Sequence, residues 1–214
     1  MIKRSPPRKA KVAASRADIF TIGHSNRSIG DFIALLKSHG VKRLVDVRTI
    51  PKSRHNPQFN RDSLAISLRR AHIAYTHLAK LGGLRHARAD SVNIGWNNAS
   101  FRGFADYMQT PEFAAALARL EKLARTKHCA IMCAEAVPWR CHRSLIADAL
   151  TVRGHAVRHI MTSSRANLHK LTPFARVRGT QITYPANKST RAYAAKRANP
   201  RKASLRAPVD IALP

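Results

Sequence analysis

The sequence predicts an α/β domain of three layers, a mainly parallel sheet with helices on both faces, followed by a small C-terminal hairpin. Three observations predict it. Short apolar runs alternate with segments of helical period between Ile19 and Met161. The runs are bounded by glycine, proline or small polar residues. Parallel strands also require crossovers, and helices that cover both sheet faces supply them. After Met161 the alternation stops, and 174–184 reads as a hairpin turning at Arg178-Gly179.

The first run, 18–24 (DIFTIGH), is a buried strand leading into a Gly-His-Ser loop. Ser28 and Asp31 then precede Phe32, Ile33, Leu35 and Leu36 at helical spacing, and Gly40 supplies a residue suited to the helix end. Residues 43–48 (RLVDVR) form the second strand, which Pro51 stops. Leu64, Leu68 and Ala71 share one face of a helix over 61–71, and 73–78 is a third strand. The polar stretch 80–102, with Gly82, Gly83, Gly95, Asn97 and Asn98, is too long for a passive connector and points to a functional or mobile loop. Residues 104–109 read as helical. Thr110-Pro111-Glu112 opens a further helix reaching Arg125, with proline at its first position. Residues 129–133 (CAIMC) are the next strand, 143–153 an amphipathic helix closed by Gly154, and 156–161 the last strand of the series.

Charge separates the chain into three parts. Of 214 residues, 39 are Lys or Arg and 11 are Asp or Glu, a formal net charge of +28. Residues 1–17 hold six bases and no acid, and residues 186–214 hold seven bases against Asp210, so +16 stays on 18–185. The ends are expected to be a basic disordered arm and tail around one α/β domain. A hydrophobic content of 44% supports a true core and excludes a purely tail-like basic chain. No apolar stretch approaches the roughly 18 residues of a membrane span, so a soluble protein without a membrane partner is expected. Polyanions are the expected partners, as an anionic small molecule or nucleic acid. With 6% aromatic residues the chain lacks the rings of a single-strand stacking platform. Cys129, Cys133 and Cys141 are an odd set with no secretory segment, which argues against a disulfide scaffold and for a reducing, cytoplasmic compartment.

In an open parallel sheet, ligand chemistry gathers beyond the carboxyl ends of the strands. The residues there are His24 and Ser25 after the first strand, Asp46 and Arg48 at the second, and Cys133, Glu135, Cys141, His142 and Arg143 after the fourth. Cys141 sits near the start of the amphipathic helix beside Arg140 and Arg143, where helix dipole and cations favour a thiolate. The expected catalytic set is therefore Cys141, His142, Glu135 and Cys133. The expected substrate contacts are His24, Ser25, Asp46, Arg48, Ser53, Arg54, Gly82, Gly83 and Arg143, with the arginines as an anion clamp. The competing reading is structural, with Cys141 packed as a small apolar residue, His142 capping the helix, and Asp46 and Arg48 simply paired. Cys129 and Cys133 lie roughly 13 Å apart on a strand at about 3.3 Å per residue, too far to share one ion. Cys133, Glu135, Cys141 and His142 lack the paired short spacing of zinc sites. No metal or cofactor is expected, and Cys133 with Cys141 as a redox pair is permitted by their separation.

Thr21-Ile-Gly-His-Ser25, Asp46-Val-Arg48 with Pro51 and Ser53-Arg54, Leu81-Gly-Gly83, Cys133-Ala-Glu135 with Cys141-His-Arg143, and Leu171-Thr-Pro-Phe-Ala-Arg176 together resemble the family called domain of unknown function 488. The resemblance spans about Ile19 to Tyr184 and implies an α/β domain without implying a reaction. On the residues themselves, the expectation is a Cys-dependent hydrolase or transferase acting on an anionic substrate: a nucleotide, a nucleic acid or a phosphate-bearing molecule. The alternative is a non-catalytic nucleic-acid-binding protein that uses its basic arms.

Overall fold

A computed structural model describes residues 18–186. The expected basic arms, apart from Ala186, lie outside the described residues. Thirteen regular elements follow one another: β1 Ile19–Gly23, α1 Ile29–Ser38, β2 Arg43–Asp46, α2 Arg61–Arg70, β3 Ala74–His77, α3 Ala99–Tyr107, α4 Pro111–Thr126, β4 Cys129–Cys133, α5 Arg143–Val152, β5 Val157–Ile160, β6 Ala166–Leu168, β7 Arg176–Arg178 and β8 Gln181–Thr183. Short 3-10 turns occupy Pro57–Phe59, Ala79–Leu81 and Pro138–Arg140.

Six strands form one sheet in the order β3-β2-β4-β1-β5-β6, all parallel except the antiparallel β5–β6 pair. Strands β7 and β8 form a separate antiparallel hairpin. The two-residue alternation of strands divides the core. Ile19, Val45, Ile131 and Val157 face the layer containing α3, α4 and α5, where Phe104, Phe113, Leu117, Leu120, Leu145 and Leu150 are buried. Ile22, Leu44, Ala130 and Met132 face α1 and α2 through Phe32, Leu36, Leu64 and Leu68. Because β4 inserts between β1 and β2, the chain leaves the sheet in different directions around these strands. A crevice opens there beyond their carboxyl ends.

Caps set the helix starts. Ser28 accepts from the Asp31 amide, Thr110 from that of Phe113, and Asn98 from those of Ser100 and Phe101. The last cap corrects the expected helix at 104–109, which begins five residues earlier because Asn98 satisfies its first free amides. Strand β6 is a further departure. It is three residues long with only partial burial, so its apolar pattern is too short to be read. The hairpin turns at Gly179-Thr180, one residue later than expected, since Arg178 pairs with Gln181.

The long segment before α3 is fixed in place. Asp106 accepts from the Arg88 amide at 2.9 Å, the Ser91 hydroxyl at 2.6 Å and Asn93 Nδ2 at 2.7 Å, while Asn93 Oδ1 accepts from the Tyr184 amide at 2.8 Å. These bonds satisfy a buried carboxylate, while the Leu84 amide donates to Thr49 Oγ1 at 3.4 Å where Gly83 and Leu84 line the crevice.

Candidate functional site

A cavity of about 760 Å³ opens at the carboxyl ends of β1, β2 and β4. His24, Ser25, Arg48, Ser53, Gly83, Cys133, Glu135, Cys141 and His142, all singled out in the sequence, line it. Four others do not. Asp46 is fully buried behind Arg48, Gly82 packs on Thr49, Arg54 is exposed outside the cavity, and Arg143 is buried beneath it. The anion clamp expected of Arg48 and Arg143 therefore has only Arg48 at the surface of the cavity.

Arg143 turns inward from the first position of α5 and is 1% exposed. Its NH2 donates to the Glu135 carbonyl at 2.5 Å, its NH1 to Thr21 Oγ1 at 3.3 Å and its Nε to Cys141 Sγ at 3.4 Å. No carboxylate lies within ion-pair distance of it among the described residues. A buried guanidinium demands a counter-charge, and the one group of suitable chemistry against it is the Cys141 sulfur.

The rest of the environment agrees. The Cys133 thiol donates to Cys141 and lowers its pKa most, and His142 and Arg143 lower it further against the opposing effect of burial. Giving that hydrogen bond and losing solvent push the Cys133 thiol far up. One sulfur of the pair thus holds the charge and the other the proton, and Arg143 selects Cys141 as the thiolate because its Nε reaches that sulfur. His142 completes the group. Its Nε2 donates to the Val47 carbonyl at 3.3 Å, which aims Nδ1 at Cys141 Sγ, 3.7 Å away, and Cys133 Sγ, 3.9 Å away. Facing both sulfurs, Nδ1 accepts a proton when the ring is neutral and donates one when it is protonated.

The opposite wall is built from β1 and β2. Asp46 holds Arg48 in a fork, with Oδ1 accepting from Nε at 2.9 Å and Oδ2 from NH2 at 2.6 Å. Tyr75 also donates to Oδ2 at 2.8 Å, and Arg48 NH2 gives its second hydrogen to the Phe59 carbonyl at 2.7 Å. Arg48 NH1 donates to His24 Nε2 at 3.4 Å and keeps one hydrogen for the cavity. His24 donates from Nδ1 to the Ser25 carbonyl at 2.7 Å and stacks on Phe59 at 4.3 Å between centroids. Burial lowers its pKa below the ordinary value, so it is neutral near pH 7. Ser25 has φ of 51°, a left-handed conformation unusual for serine, anchored by its amide bond to the Ala134 carbonyl at 2.8 Å.

Sequence reasoning missed Thr49, Ile50, Lys52, Asn56, Leu84, Asn98, Ser100 and Phe101, which also line the cavity. They lie in loops and at the first turn of α3, where no periodicity marks a facing direction. The helix cap at Asn98 was the one readable signal. Cys133 Sγ, Cys141 Sγ and His142 Nδ1 lie within 4.8 Å of one another, the spacing of a metal-ligand set. The Arg143 guanidinium on Cys141 opposes a second cation there.

Gly83 sets the position of His142. A Cβ at residue 83 would stand 2.6 Å from His142 Nδ1 and 2.8 Å from Cγ. Gly83→Ala is therefore expected to swing the ring off the sulfurs and slow alkylation of Cys141 at pH 7 by about 10-fold, with a stability cost of about 1–3 kcal/mol from the displaced ring. A rate equal to the parent's would show that the ring has another way to reach the sulfurs.

The fold and this cleft define an α/β protein with an open, mostly parallel sheet and an arginine-held thiol pair at its carboxyl edge. The chain belongs to the family described as domain of unknown function DUF488, whose model matches residues 28–150 of its 214. That match covers β2 to β4 and the Cys133, Cys141, His142 and Arg143 cluster. No curated protein and no solved structure matches the chain.

Proposed function

We propose that the chain is a Cys-dependent hydrolase or transferase whose nucleophile is the Cys141 thiolate and whose substrate is anionic. The observation that carries the proposal is the buried Arg143 cation, with no carboxylate partner among the described residues, set against a sulfur that lines an open cavity. In the reaction, Cys141 Sγ bonds to the electrophilic atom and the leaving group departs with its electron pair, taking a proton from water. His142 Nδ1 then accepts a proton from a second water as that water's oxygen bonds to the electrophilic atom, the bond from that atom to sulfur breaks, and Cys141 leaves again as thiolate.

The charge of the cavity supports an anionic substrate. Exposed Lys52 and Arg140 line it, and Arg48 offers its remaining NH1 hydrogen. Asp46 is committed to Arg48 and Tyr75, which leaves Glu135 as the acid lining the cavity. Glu135 is exposed and suited to orient a leaving group or water. A phosphate-bearing ligand such as a nucleotide, or nucleic acid carrying one, fits these cations.

The test is a turnover screen of phosphoryl, acyl and glycosyl esters with the full chain. Cys141→Ala is expected to reduce the activity found by at least about 10³-fold while Cys129→Ala retains it. Equal losses would remove Cys141 from the nucleophile role. The net charge of +28 favours a second reading, non-catalytic binding of nucleic acid through the arms. In that case binding falls steeply with salt, is lost on deleting 1–17 and 186–214, and is untouched by Cys141→Ala.

A further inference from the structure

We propose that Cys141 and Cys133 are also an oxidation site for a hydroperoxide, which is reduced at Cys141 and resolved by Cys133 to an internal disulfide. This rests on the reading of Cys141 as a thiolate. Three features carry it beyond that reading. A second sulfur stands beside the first, since both sulfurs and His142 Nδ1 fall within 4.8 Å. Both cysteines, although buried at 8% and 2% exposure, form part of the lining of the open cavity, which is the route by which a small peroxide would reach them. Cys129, fully buried at the far end of the same strand, does not line the cavity. The pair thus has an attacking thiolate, a resolving thiol and a route of entry, the three requirements of a reversible thiol oxidation.

The chemistry balances. Cys141 Sγ attacks one oxygen of the hydroperoxide; an S–O bond forms, the O–O bond breaks, and the departing alkoxide or hydroxide takes a proton from water. The peroxide gains two electrons and Cys141 becomes a sulfenic acid. Cys133 then passes its proton to His142 Nδ1, which faces that sulfur at 3.9 Å. The Cys133 sulfur attacks the Cys141 sulfur; the S–S bond forms, the S–O bond breaks, and the leaving hydroxide recovers the proton from Nδ1 as water. The sum is one hydroperoxide, one thiolate and one thiol giving one alcohol or water, a disulfide and one hydroxide released to solvent. An external dithiol, itself oxidised to a disulfide, returns the pair to the reduced state. Closure draws the sulfurs to about 2.05 Å. It consumes the thiolate that neutralises Arg143, so the oxidised site no longer has a nucleophile.

The experiment treats the full chain with hydrogen peroxide, blocks free thiols, and maps peptides by mass spectrometry without reduction. The expected product joins the Cys133 and Cys141 peptides within one chain, with Cys129 blocked as a free thiol, and dithiothreitol reverses it. Cys129→Ser should form the same link. Cys133→Ser should abolish it and leave a sulfenic acid at Cys141 that dimedone traps. Fast alkylation of Cys141 with no link and no trapped sulfenic acid would overturn the oxidation site and leave the nucleophile standing. Slow alkylation of Cys141, at the rate of an ordinary thiol, would remove both.

Discussion

Arg143→Met is expected to destabilise the protein by about 3–5 kcal/mol and to shift the alkylation of Cys141 to higher pH. The stability loss has two sources. Methionine leaves the Glu135 carbonyl and Thr21 Oγ1 without the donors that reach them, and it strands the Cys141 sulfur without its nearest cation. The pH effect follows from the same contact. In the parent, the hydrogen bond from Cys133, helped by His142 and Arg143, holds the Cys141 thiol well below its ordinary value. Its rate with iodoacetamide should therefore be flat from about pH 6 to 9, where an ordinary thiol of pKa about 8.5 gains several hundred-fold. Without Arg143 the Cys133 hydrogen bond and His142 still hold the Cys141 thiol down, but less far, so the fall of the rate on acidification should begin at a higher pH than in the parent. The linkage has a defined sign. A thiol whose folded pKa is depressed contributes stability that is full above its unfolded value, near 8.5, and is lost as pH falls towards the folded value. The stability gap between parent and Arg143→Met should thus narrow as pH is lowered from 9, which urea denaturation at several pH values would measure. Arg143→Lys keeps the charge but cannot reach sulfur, hydroxyl and carbonyl together, and should fall between the two. A loss under about 1 kcal/mol for Arg143→Met, with an alkylation profile unshifted from the parent's on acidification, would refute the counter-ion role.

This cation explains why the candidate site was only partly legible. Strand ends could be read because apolar runs stop at Gly23, Asp46 and Cys133, and a parallel sheet brings such ends to one edge. That placed His24, Arg48, Cys133, Cys141 and His142 in one cavity. The direction of a single arginine could not be read. Arg140 and Arg143 look alike in the sequence, yet Arg140 is exposed at the cavity and Arg143 is buried under Cys141. What separates them is the 3-10 turn Pro138–Arg140, which places Arg143 at the first position of α5, its head pointing back at Thr21 and the Glu135 carbonyl. Asp46 and Arg48 show the same limit. Their spacing put them on one side of a strand, and the buried fork with Tyr75 makes the acid a support for the base instead of a ligand contact. Arg54 reads as an anion contact because it follows Ser53, but the loop presents Ser53 to the cavity and Arg54 to solvent. The polar chain on the far side had no signal at all. His159 and His169 meet at 2.9 Å only because β6 runs antiparallel to β5, and β6 is too short to announce itself.

That chain ends on Asp148, and Asp148→Ala is expected to cost about 4 kcal/mol or more. The carboxylate is fully buried on α5 and accepts from His169 Nε2 at 2.8 Å, the Thr172 amide at 3.0 Å, the Thr172 hydroxyl at 2.7 Å and the Tyr184 hydroxyl at 2.8 Å. All four donors lie after β5 in the chain. One side chain therefore ties the β6 end, the following loop and the residue after β8 to a core helix, and alanine would leave four donors unpaired, that of Tyr184 fully buried and the others part-buried. The effect should reach the cavity. His169 bonds to His159, whose Nδ1 meets Thr21 Oγ1 at 2.7 Å, and Thr21 Oγ1 accepts from Arg143. Burial, the neighbouring His169 and Arg143 lower the pKa of His159 to about 4, so the middle of the chain is neutral at pH 7. Asp148→Asn keeps one acceptor oxygen but turns an amide donor towards donors, and should recover less than half of the loss. Hydrogen exchange supplies the local readout. Amides of 166–184 should exchange faster in Asp148→Ala, while those of α1 and α2, on the opposite face, should change only with global stability. Tyr184→Phe isolates one arm of the network and is expected to cost about 1–2 kcal/mol. Burial and then Asp148 push the Tyr184 phenol well above its ordinary value. Its contribution to stability is full below the unfolded value near 10 and is lost as pH rises beyond it, so Tyr184→Phe should blunt the alkaline loss of stability above about pH 10. If Asp148→Ala lost under about 1 kcal/mol with exchange in 166–184 unchanged, the C-terminal segment would be held by the hairpin and the Asn93 bond to Tyr184, and the Asp148 network would not be its anchor.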